Sequence, residues 1–508
     1  MTNGSKPSIN PLTSGRVLAR NTLWNIFSSI APLTVAVFII PFLVRRLGVE
    51  RFGILSIAWV MIGYFSLFDL GLGRAITRLV AEKRGSGNEE DIPAVVWTGL
   101  LLMLVLGITG AVVIILFAPW FCGRVLNIPV TLLKETTQVF IIIGFAIPFV
   151  IVSTGLRGFI EAYQRFDLSM MVSTPLGIVT FVGPAFALLF TNHLGIVVGT
   201  LFIGRLMAVA VYLKICFSLS PKLRYPIAPN RALARQMLGY GGWITVSNIV
   251  GPLMVYLDRF FIGAMLSLAA VAYYTTPYDI VTKLLLIPTA LTGVLFPAFS
   301  AAAGPDKGYT MRILERGVKY VCLIMLPASL VIMSFASEGL LFWLGPDFAR
   351  QGTGVLQWIT AGVFLNSLAF VPFSFIQAAG RSDMTAKLHL VELPLYLLLV
   401  WSLIARHGIE GIAIAWFIRA TLDMVLVFIL AHRMDGFDVK SAGRMLMLVC
   451  GGVFSLAIAP VLQGVVVKIA YLISTLIVFF VFAWNQLLAQ DERQLILSPF
   501  GIFGKARR

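Results

Sequence analysis

The sequence predicts an all-α, polytopic integral membrane protein with about 14 transmembrane helices. Of its 508 residues, 59% are hydrophobic and only 12% are charged, whereas a soluble domain carries about 25% charged residues. Apolar runs recur from Asn21 to Leu488, and a spanning helix needs ~20 mostly apolar residues. Most of the chain is therefore expected to lie in lipid.

The apolar runs fall into three groups along the chain. The first six cover roughly 21–44, 54–80, 94–118, 136–158, 169–191 and 194–218. Six more cover roughly 237–265, 269–299, 317–343, 355–379, 386–405 and 409–431, and a final pair covers about 442–463 and 466–488. The predicted organisation is a cytoplasmic N-terminal segment (1–20), an N-lobe (21–219), a basic cytoplasmic connector (220–236), a C-lobe (237–432), a last helix pair (433–490) and a basic cytoplasmic tail (491–508).

An internal repeat relates the two groups of six. Residues 158–169, GFIEAYQRFDLS, align without gaps to residues 374–385, SFIQAAGRSDMT, at a separation of 216. Trp24 and Trp243 are 219 apart, and Arg205 and Arg419 are 214 apart. An even number of spans per repeat makes the two lobes parallel, the layout in which lobes rock around a central site. A structural duplication without transport is the alternative.

The basic residues lie mainly in the connections between apolar runs, although the formal charge of +16 invites a nucleic-acid interpretation. With the N-terminus inside, cytoplasmic segments hold about 24 Lys and Arg against about 8 outside. Both termini are therefore predicted to be cytoplasmic. The predicted first outer loop is an exception to this charge distribution, because it holds Arg45, Arg46 and Arg51. No basic and aromatic module of the nucleic-acid-binding kind is present, so no nucleic-acid partner is expected.

The second span carries charge where charge is costly, in the stretch FDLGLGRAITR. Each ionisable group inside a span costs ~2.5–3.5 kcal/mol and usually faces a wet cavity or a partner. Arg74 and Arg78 share a face near the cytoplasmic mouth and could bind a phosphate, or they could snorkel to headgroups. Asp69 is a candidate for ion coupling or for holding Arg74. Gly71 permits a bend between the acid and the bases.

The seventh and eighth spans hold further candidates. Asp258 and Arg259 are neighbours that point about 100° apart on an ideal helix, so other partners are expected for them. Asp279 and Lys283 lie four apart, either as an intrahelical ion pair or with Lys283 exchanging between Asp279 and a substrate phosphate. Asn25 in the first span could give it a polar cavity face.

Other ionisable groups lie in the remaining spans. Arg205 and Arg419 occupy matching positions, and bracing of each lobe is the favoured interpretation; Asp423 follows Arg419 by one turn. A buried carboxyl could also couple transport to an ion, but the sequence does not choose among the candidates Glu338, His389 and Glu392.

No catalytic constellation is present in the sequence. There is no P-loop, no metal-ligand cluster and no nucleophile elbow, so neither an enzyme nor a cofactor or metal is expected. The four cysteines, Cys122, Cys216, Cys322 and Cys450, are widely spaced and predict no disulfide framework.

Three segments carry a family resemblance: LVRRLGVERFGILS, FDLGLGRAITRLVAE and YLDRFFIGAMLSLAAVAYY. They resemble the corresponding segments of polysaccharide flippases of the Wzx type, in the multidrug/oligosaccharidyl-lipid/polysaccharide exporter superfamily. The resemblance covers about residues 15–490. It implies a V-shaped pair of six-helix lobes whose helices one, two, seven and eight line a central cavity, which favours Asp69, Arg74, Asp258, Arg259, Asp279 and Lys283 as cavity charges.

The resemblance also implies a cargo and a cellular location. The cargo is a polyprenyl-pyrophosphate-linked oligosaccharide moved to the outer leaflet of the bacterial cytoplasmic (inner) membrane, with H⁺ or Na⁺ as counter-ion. The last two helices would hold the lipid tail. Membrane lipids, a polysaccharide polymerase and chain-length machinery are the implied partners of a monomer. The rival hypotheses are a cation-coupled drug antiporter of the same superfamily and a non-transporting scaffold for glycan assembly.

Overall fold

The structure, a computed structural model, describes residues 15–67, 69–225, 229–302, 307–435, 439–487 and 493. These residues are almost entirely helical, which confirms the predicted all-α class. The helices are α1 (Gly15–Leu47), α2 (Val49–Leu67), α3 (Leu72–Gly85), α4 (Ile92–Trp120), α5 (Val130–Ala162), α6 (Phe166–Ala187), α7 (Leu194–Leu219), α8 (Arg231–Met265), α9 (Leu268–Thr282), α10 (Leu286–Ala302), α11 (Lys307–Ser334), α12 (Ala336–Leu344), α13 (Pro346–Ala378), α14 (Ser382–Asp435), α15 (Val439–Ile458) and α16 (Val465–Phe482).

Eleven helical stretches in the described part of the chain are long and apolar enough to cross a membrane. The chain is thus a multi-pass membrane protein, but the predicted number of fourteen spans is not confirmed. The predicted spans 386–405 and 409–431 fall in one stretch, Asp383–Met434, that bends sharply at Gly408. The helix α8 is not among the eleven, and the apolar part of the thirteenth predicted span is short, Leu446–Val461.

The predicted second span is not one continuous helix over 54–80. It consists of α2 and α3, which are separated around Leu70 and Gly71 by left-handed backbone with φ of 52° and 73°. Glycine adopts this conformation readily, whereas leucine adopts it at a cost. The bend that Gly71 was expected to permit is therefore a complete break in the helix.

The chain divides into two compact units, Met1–Ala272 and Tyr273–Arg508. In the first unit, α5 is central and packs against α2, α3, α4 and α7, while α1 packs against α6. The core includes Ile76, Val80 and Phe159, which are fully buried. The helix α8 belongs to this unit as well, since it packs against α2, α3 and α4. The predicted lobes, which divide at 220–236, stay a prediction.

In the second unit, α13 takes the central place and packs against α10, α11, α12 and α14. Its core positions include Val363, Phe364 and Leu368, which are fully buried. The two arms of α14 meet at Gly408, whose φ of 57° and ψ of −136° break the helical path. The last helices, α15 and α16, contact α11.

The internal repeat is reproduced in the helix bounds. The central helices α5 and α13 both have 33 residues, and both of their ends differ by 216 in number. Each is followed by the same turn, with left-handed backbone at Gln164 and at Gly380. The amide of Arg165 donates to Ile160 O (3.2 Å), and the amide of Arg381 donates to Ile376 O (3.1 Å). Sequence identity at the turn thus corresponds to identical local hydrogen bonding.

Candidate functional site

Asp69 lies in the break of the second span and accepts hydrogen bonds from the start of α3. The amides of Gly71 and Gly73 donate to its Oδ1 (2.9 Å) and Oδ2 (3.0 Å), and Thr154 Oγ1 lies 3.2 Å from Oδ2. A helix N-terminus has unpaired amides and a partial positive charge, so a carboxylate there is stabilising. Asp69, 8% exposed, therefore caps α3. No ion pair joins it to Arg74 within the described ranges.

Arg74 and Arg78 lie on one exposed face of α3. The opposite face is buried in the first unit and consists of Leu72, Gly73, Ala75, Ile76, Leu79 and Val80. Both arginines are exposed, and a spacing of four places them on the same side of the helix. The break and the cap at Asp69 thus present two guanidinium groups within the first two turns of a half-helix.

The eighth span is irregular near the corresponding place. A 3₁₀ turn, Lys283–Leu285, lies between α9 and α10, about 214 residues after the break in the second span, within the continuous helical stretch Leu268–Phe296. Lys283 and Asp279 are both exposed, and no ion pair between them is found among the residues described. Lys283 begins the 3₁₀ turn, so the α-helical i,i+4 geometry that would favour their pairing is lost there.

Asp258 and Arg259 lie side by side in the interior of the first unit. Arg259 Nη1 donates to Asp258 Oδ1 (2.8 Å), and the two side chains are 1% and 0% exposed. The two neighbours pair with each other despite their divergence on an ideal helix, because the arginine side chain is long, and each also has a further interaction, as expected. The guanidinium also lies over the ring of Tyr256, 5.5 Å from its centroid. The side chain of Asn25 lies outside the described residues.

The second unit contains a group of ionisable side chains that we call the α14 cluster: His389, Glu392, Arg419 and Asp423. One side-chain nitrogen or oxygen atom from each of His389, Glu392 and Asp423 lies within 4.8 Å of the other two. His389 and Glu392 come from the first arm of α14, and Arg419 and Asp423 from the second. The sequence related Arg419 to Asp423, one turn further on, but no motif spacing relates this pair to His389 and Glu392, which it meets only because α14 folds at Gly408.

Burial differs within the α14 cluster. Glu392 and Asp423 are 5% and 6% exposed, whereas the His389 side chain is 29% exposed. His389 Nε2 lies 3.8 Å from Asp423 Oδ1, and Phe373 of α13 stacks on the imidazole at a centroid distance of 5.8 Å. The guanidinium of Arg419 lies 5.7 Å from the ring centroid of Tyr396. The cluster thus combines two buried carboxyl groups with the partly exposed side chains of His389 and Arg419.

Glu338, the remaining coupling candidate, has a partner. Lys468 Nζ donates to its two carboxylate oxygens at 2.7 and 3.0 Å, joining α12 to the start of α16. Burial alone would raise the pKa of Glu338, but the ammonium group of Lys468 holds that pKa below its ordinary value. Glu338 therefore forms a tie between two elements of the second unit.

Each unit also contains an apolar cavity. In the first, about 270 Å³ is enclosed between α2, α4, α5 and α8, with Tyr64, Phe117 and Tyr256 among the lining residues. In the second, about 440 Å³ lies between α11, α15 and α16, and Tyr471 and Ser474 add the polar atoms of its wall. Both walls are mainly aliphatic and aromatic, which suits hydrocarbon rather than a charged ligand.

Solved structures share this fold. The lipid II flippase MurJ, in its inward closed conformation, aligns with a TM-score of 0.69 at 13% identity, over 92% of this chain and 100% of that chain. An inward-facing multidrug resistance transporter of the MATE family aligns with a TM-score of 0.65 at 15% identity, over 84% of this chain and 95% of that chain. At such low identity the likeness establishes the architecture alone.

Sequence relatives point in the same direction. The chain is 29% identical over 425 residues to a candidate O-antigen transporter of Shigella flexneri, covering 82% of this chain and 98% of that protein. It is 24% identical over 413 residues to a candidate flippase, AglR, of Haloferax volcanii, covering 80% of this chain and 82% of that protein. Residues 18–303, more than half of the chain, match the family described as polysaccharide biosynthesis protein. The chain belongs to this polysaccharide biosynthesis protein family.

Proposed function

We propose that the protein is a flippase for a lipid-linked oligosaccharide, which it moves across the bacterial cytoplasmic membrane for the synthesis of a surface polysaccharide. The repeat unit is carried on a polyprenyl pyrophosphate, and the cycle is driven by a coupled ion. The relatives support the class of cargo, since one is named for O-antigen transport and another as a flippase.

The observation that most supports this proposal is that the second span is broken, and the eighth contains a 3₁₀ turn, at nearly corresponding positions. Irregular segments at corresponding positions in the two halves of a transporter point to the substrate site, because irregular backbone at membrane depth is tolerated where it lines a water-filled cavity or is buried in protein. Exposed cations lie at both places: Arg74 and Arg78 beside the break, and Lys283 in the 3₁₀ turn. Guanidinium and ammonium groups are the donors that bind pyrophosphate best.

Arg259 is a weaker candidate for substrate contact than the sequence alone suggests. Its guanidinium is already paired with Asp258 in the interior of the first unit. Breaking a buried pair is costly, so we assign Asp258 and Arg259 to bracing of α8. Asp69 is assigned to capping α3 rather than to ion coupling, because its oxygens already accept two amide hydrogen bonds.

The apolar tail of the cargo needs a different environment. We assign it to the cavity of about 440 Å³ between α11, α15 and α16, whose wall is mainly apolar. Gly451→Trp, at a wall position of that cavity, is expected to reduce export by filling the space. Gly443→Trp, on the same helix but outside the wall, is the matched control, and equal export by both variants would contradict this assignment.

The main experiment is export of surface polysaccharide in a bacterium that lacks its own flippase. Wild-type protein should restore the surface polymer, whereas Arg74→Ala and Lys283→Ala should abolish it and leave lipid-linked repeat units on the inner leaflet. Arg224→Ala, an exposed cation in the short 3₁₀ segment Pro221–Arg224, is the control and should export normally. All variants are first matched for membrane abundance by immunoblot.

The outcomes separate the rival hypotheses. Normal export by Arg74→Ala and Lys283→Ala would remove these residues from the substrate site. Drug resistance on expression, without any effect on the polymer, would identify a drug antiporter instead. Export that tolerates every one of these substitutions, in a strain that still requires the protein, would indicate a scaffold.

A further inference from the structure

The α14 cluster is not explained by packing. At 1.5 Å per residue, Glu392 lies about 15 Å from Ser382 along the first arm of α14. On the same measure, Asp423 lies about 22 Å from Gly408 along the second arm. Both therefore lie well inside arms of the stretch Asp383–Met434, which is long and apolar enough to cross a membrane. An ionisable residue inside such a stretch indicates a functional site unless a partner satisfies it.

Partners are missing for the carboxylate oxygens. Neither Oε1 nor Oε2 of Glu392 has a hydrogen-bond partner among the described residues, and the same is true of Asp423 Oδ1. Oxygen atoms of the two carboxyl groups nevertheless lie within 4.8 Å of each other. Two ionised carboxylates can only accept, so a hydrogen bond between them forms only when one of them carries a proton.

The charges of the cluster also indicate that it binds one proton. Glu392 and Asp423 are two potential negative charges, and Arg419, which interacts electrostatically with both carboxyl groups and with His389, is one positive charge. With a neutral imidazole the cluster holds one uncompensated negative charge. One added proton makes it neutral, which favours its burial at low dielectric.

We propose that the α14 cluster binds one exchangeable proton between Glu392 and Asp423, and that this proton is the coupling ion of the flippase. The second part rests on the proposed function; the first does not. His389 is the entry group, because its partly exposed imidazole lies 3.8 Å from Asp423 Oδ1. Imidazole can take up a proton from water and pass it on.

A sodium ion fits the cluster less well than a proton. Sodium, like other hard cations, prefers oxygen ligands, whereas one of the three converging groups is an imidazole nitrogen. The guanidinium of Arg419 would also repel a metal ion at close range in a medium of low dielectric. From α13 the cluster meets the ring of Phe373, which adds no ligand atom.

The bound proton can be detected without any transport. Infrared spectra of the purified full-length protein in detergent at neutral pH should contain the C=O stretching band of a protonated, buried carboxyl group. Glu392→Gln and Asp423→Asn should each lose that band, because the remaining carboxylate is then balanced by Arg419. Glu410→Gln, an exposed position on the same helix, should retain it. Persistence of the band in both cluster variants would overturn the proposal.

Coupling is tested in proteoliposomes with a synthetic undecaprenyl-pyrophosphate-linked disaccharide that carries a fluorophore. Wild-type protein should flip this probe faster under an imposed pH gradient, and Glu392→Gln should lose that dependence while Glu410→Gln keeps it. Flipping by Glu392→Gln that responds to pH as wild type does, or acceleration by a sodium gradient in place of the pH gradient, would overturn the coupling role. If wild-type protein moves no probe at all, the proposed function fails, whereas the infrared result still decides proton binding.

Discussion

Arg205 and Arg419 lie at corresponding positions in the two halves of the chain, yet their surroundings differ. Arg419 interacts electrostatically with Glu392, Asp423 and His389, and its guanidinium lies near the rings of Tyr396 and Trp416. Arg205 has no ion pair within the described part of the first unit. Internal repeats conserve the backbone path, so the difference lies in the side chains that surround each arginine.

The partners of Arg419 have no ionisable counterparts in the first half. At the repeat offset of 216, His389 and Glu392 correspond to Ser173 and Leu176. At the offset of 214 that relates the two arginines, Asp423 corresponds to Val209. The first half instead places its buried acid in the broken second span, at Asp69. The two proposals therefore assign substrate binding and ion coupling to different helices.

The largest loss of stability is expected when Arg419 is replaced. Arg419→Ala leaves two buried carboxyl groups without their counter-charge, which should cost about 3–5 kcal/mol if both stay ionised. The loss should grow as pH rises, because protonation relieves it. Arg205→Ala should cost less than about 1 kcal/mol. The apparent Tm of detergent-solubilised protein across a pH series measures both, and equal losses would mean that the halves do not differ.

A second comparison concerns the interrupted spans, where only the first half uses an acid as a cap. Asp69→Ala leaves the amides of Gly71 and Gly73 without acceptors and should cost about 2–3 kcal/mol. Asp69→Asn keeps one acceptor oxygen and should lose roughly half as much. Thermal unfolding measures stability, and export is compared at matched abundance. A stable Asp69→Asn protein that cannot export would assign Asp69 to coupling instead.

A third prediction concerns the close approach of α3 and α5. A methyl group on Gly158 would lie 2.6 Å from the carbonyl oxygen of Gly73, which is backbone and cannot turn away. Gly158→Ala should therefore cost about 1–3 kcal/mol through overpacking. Its repeat counterpart, Ser374, already carries a Cβ, so Ser374→Ala is the matched control with a smaller loss. Equal Tm values for Gly158→Ala and wild type would show that α3 shifts freely on α5.

The smallest effect is expected at the tie between Glu338 and Lys468. Since the folded-state pKa of Glu338 is below its ordinary value, the pair stabilises the fold at pH above that ordinary value. This stabilisation is lost as pH falls through the folded-state pKa. Solvent screening limits it to about 1 kcal/mol or less. Glu338→Gln should lower Tm slightly at neutral pH and not in acid; a Tm difference that grows in acid would contradict the assignment.

Several elements could be read from the sequence because they depend on local patterns. The repeat turn at Gln164 and Gly380 depends on nearby residues and was found by alignment of twelve-residue segments. The pairing of Asp258 with Arg259 was missed, because ideal helix geometry ignores the reach of a long side chain. The break at Leu70 was missed because a leucine with positive φ contradicts local preference.

The sequence by itself determined the all-α membrane class, the repeat and the positions of charged residues within spans. These follow from hydropathy, which is set by composition over ~20 residues. Only the tertiary structure decided that Asp69 caps a half-helix, that Arg74 and Arg78 face outward, and that His389, Glu392 and Asp423 converge. The physical reason is that burial and hydrogen-bond partners depend on contacts between distant segments, and the fold at Gly408 brings together groups more than 30 residues apart.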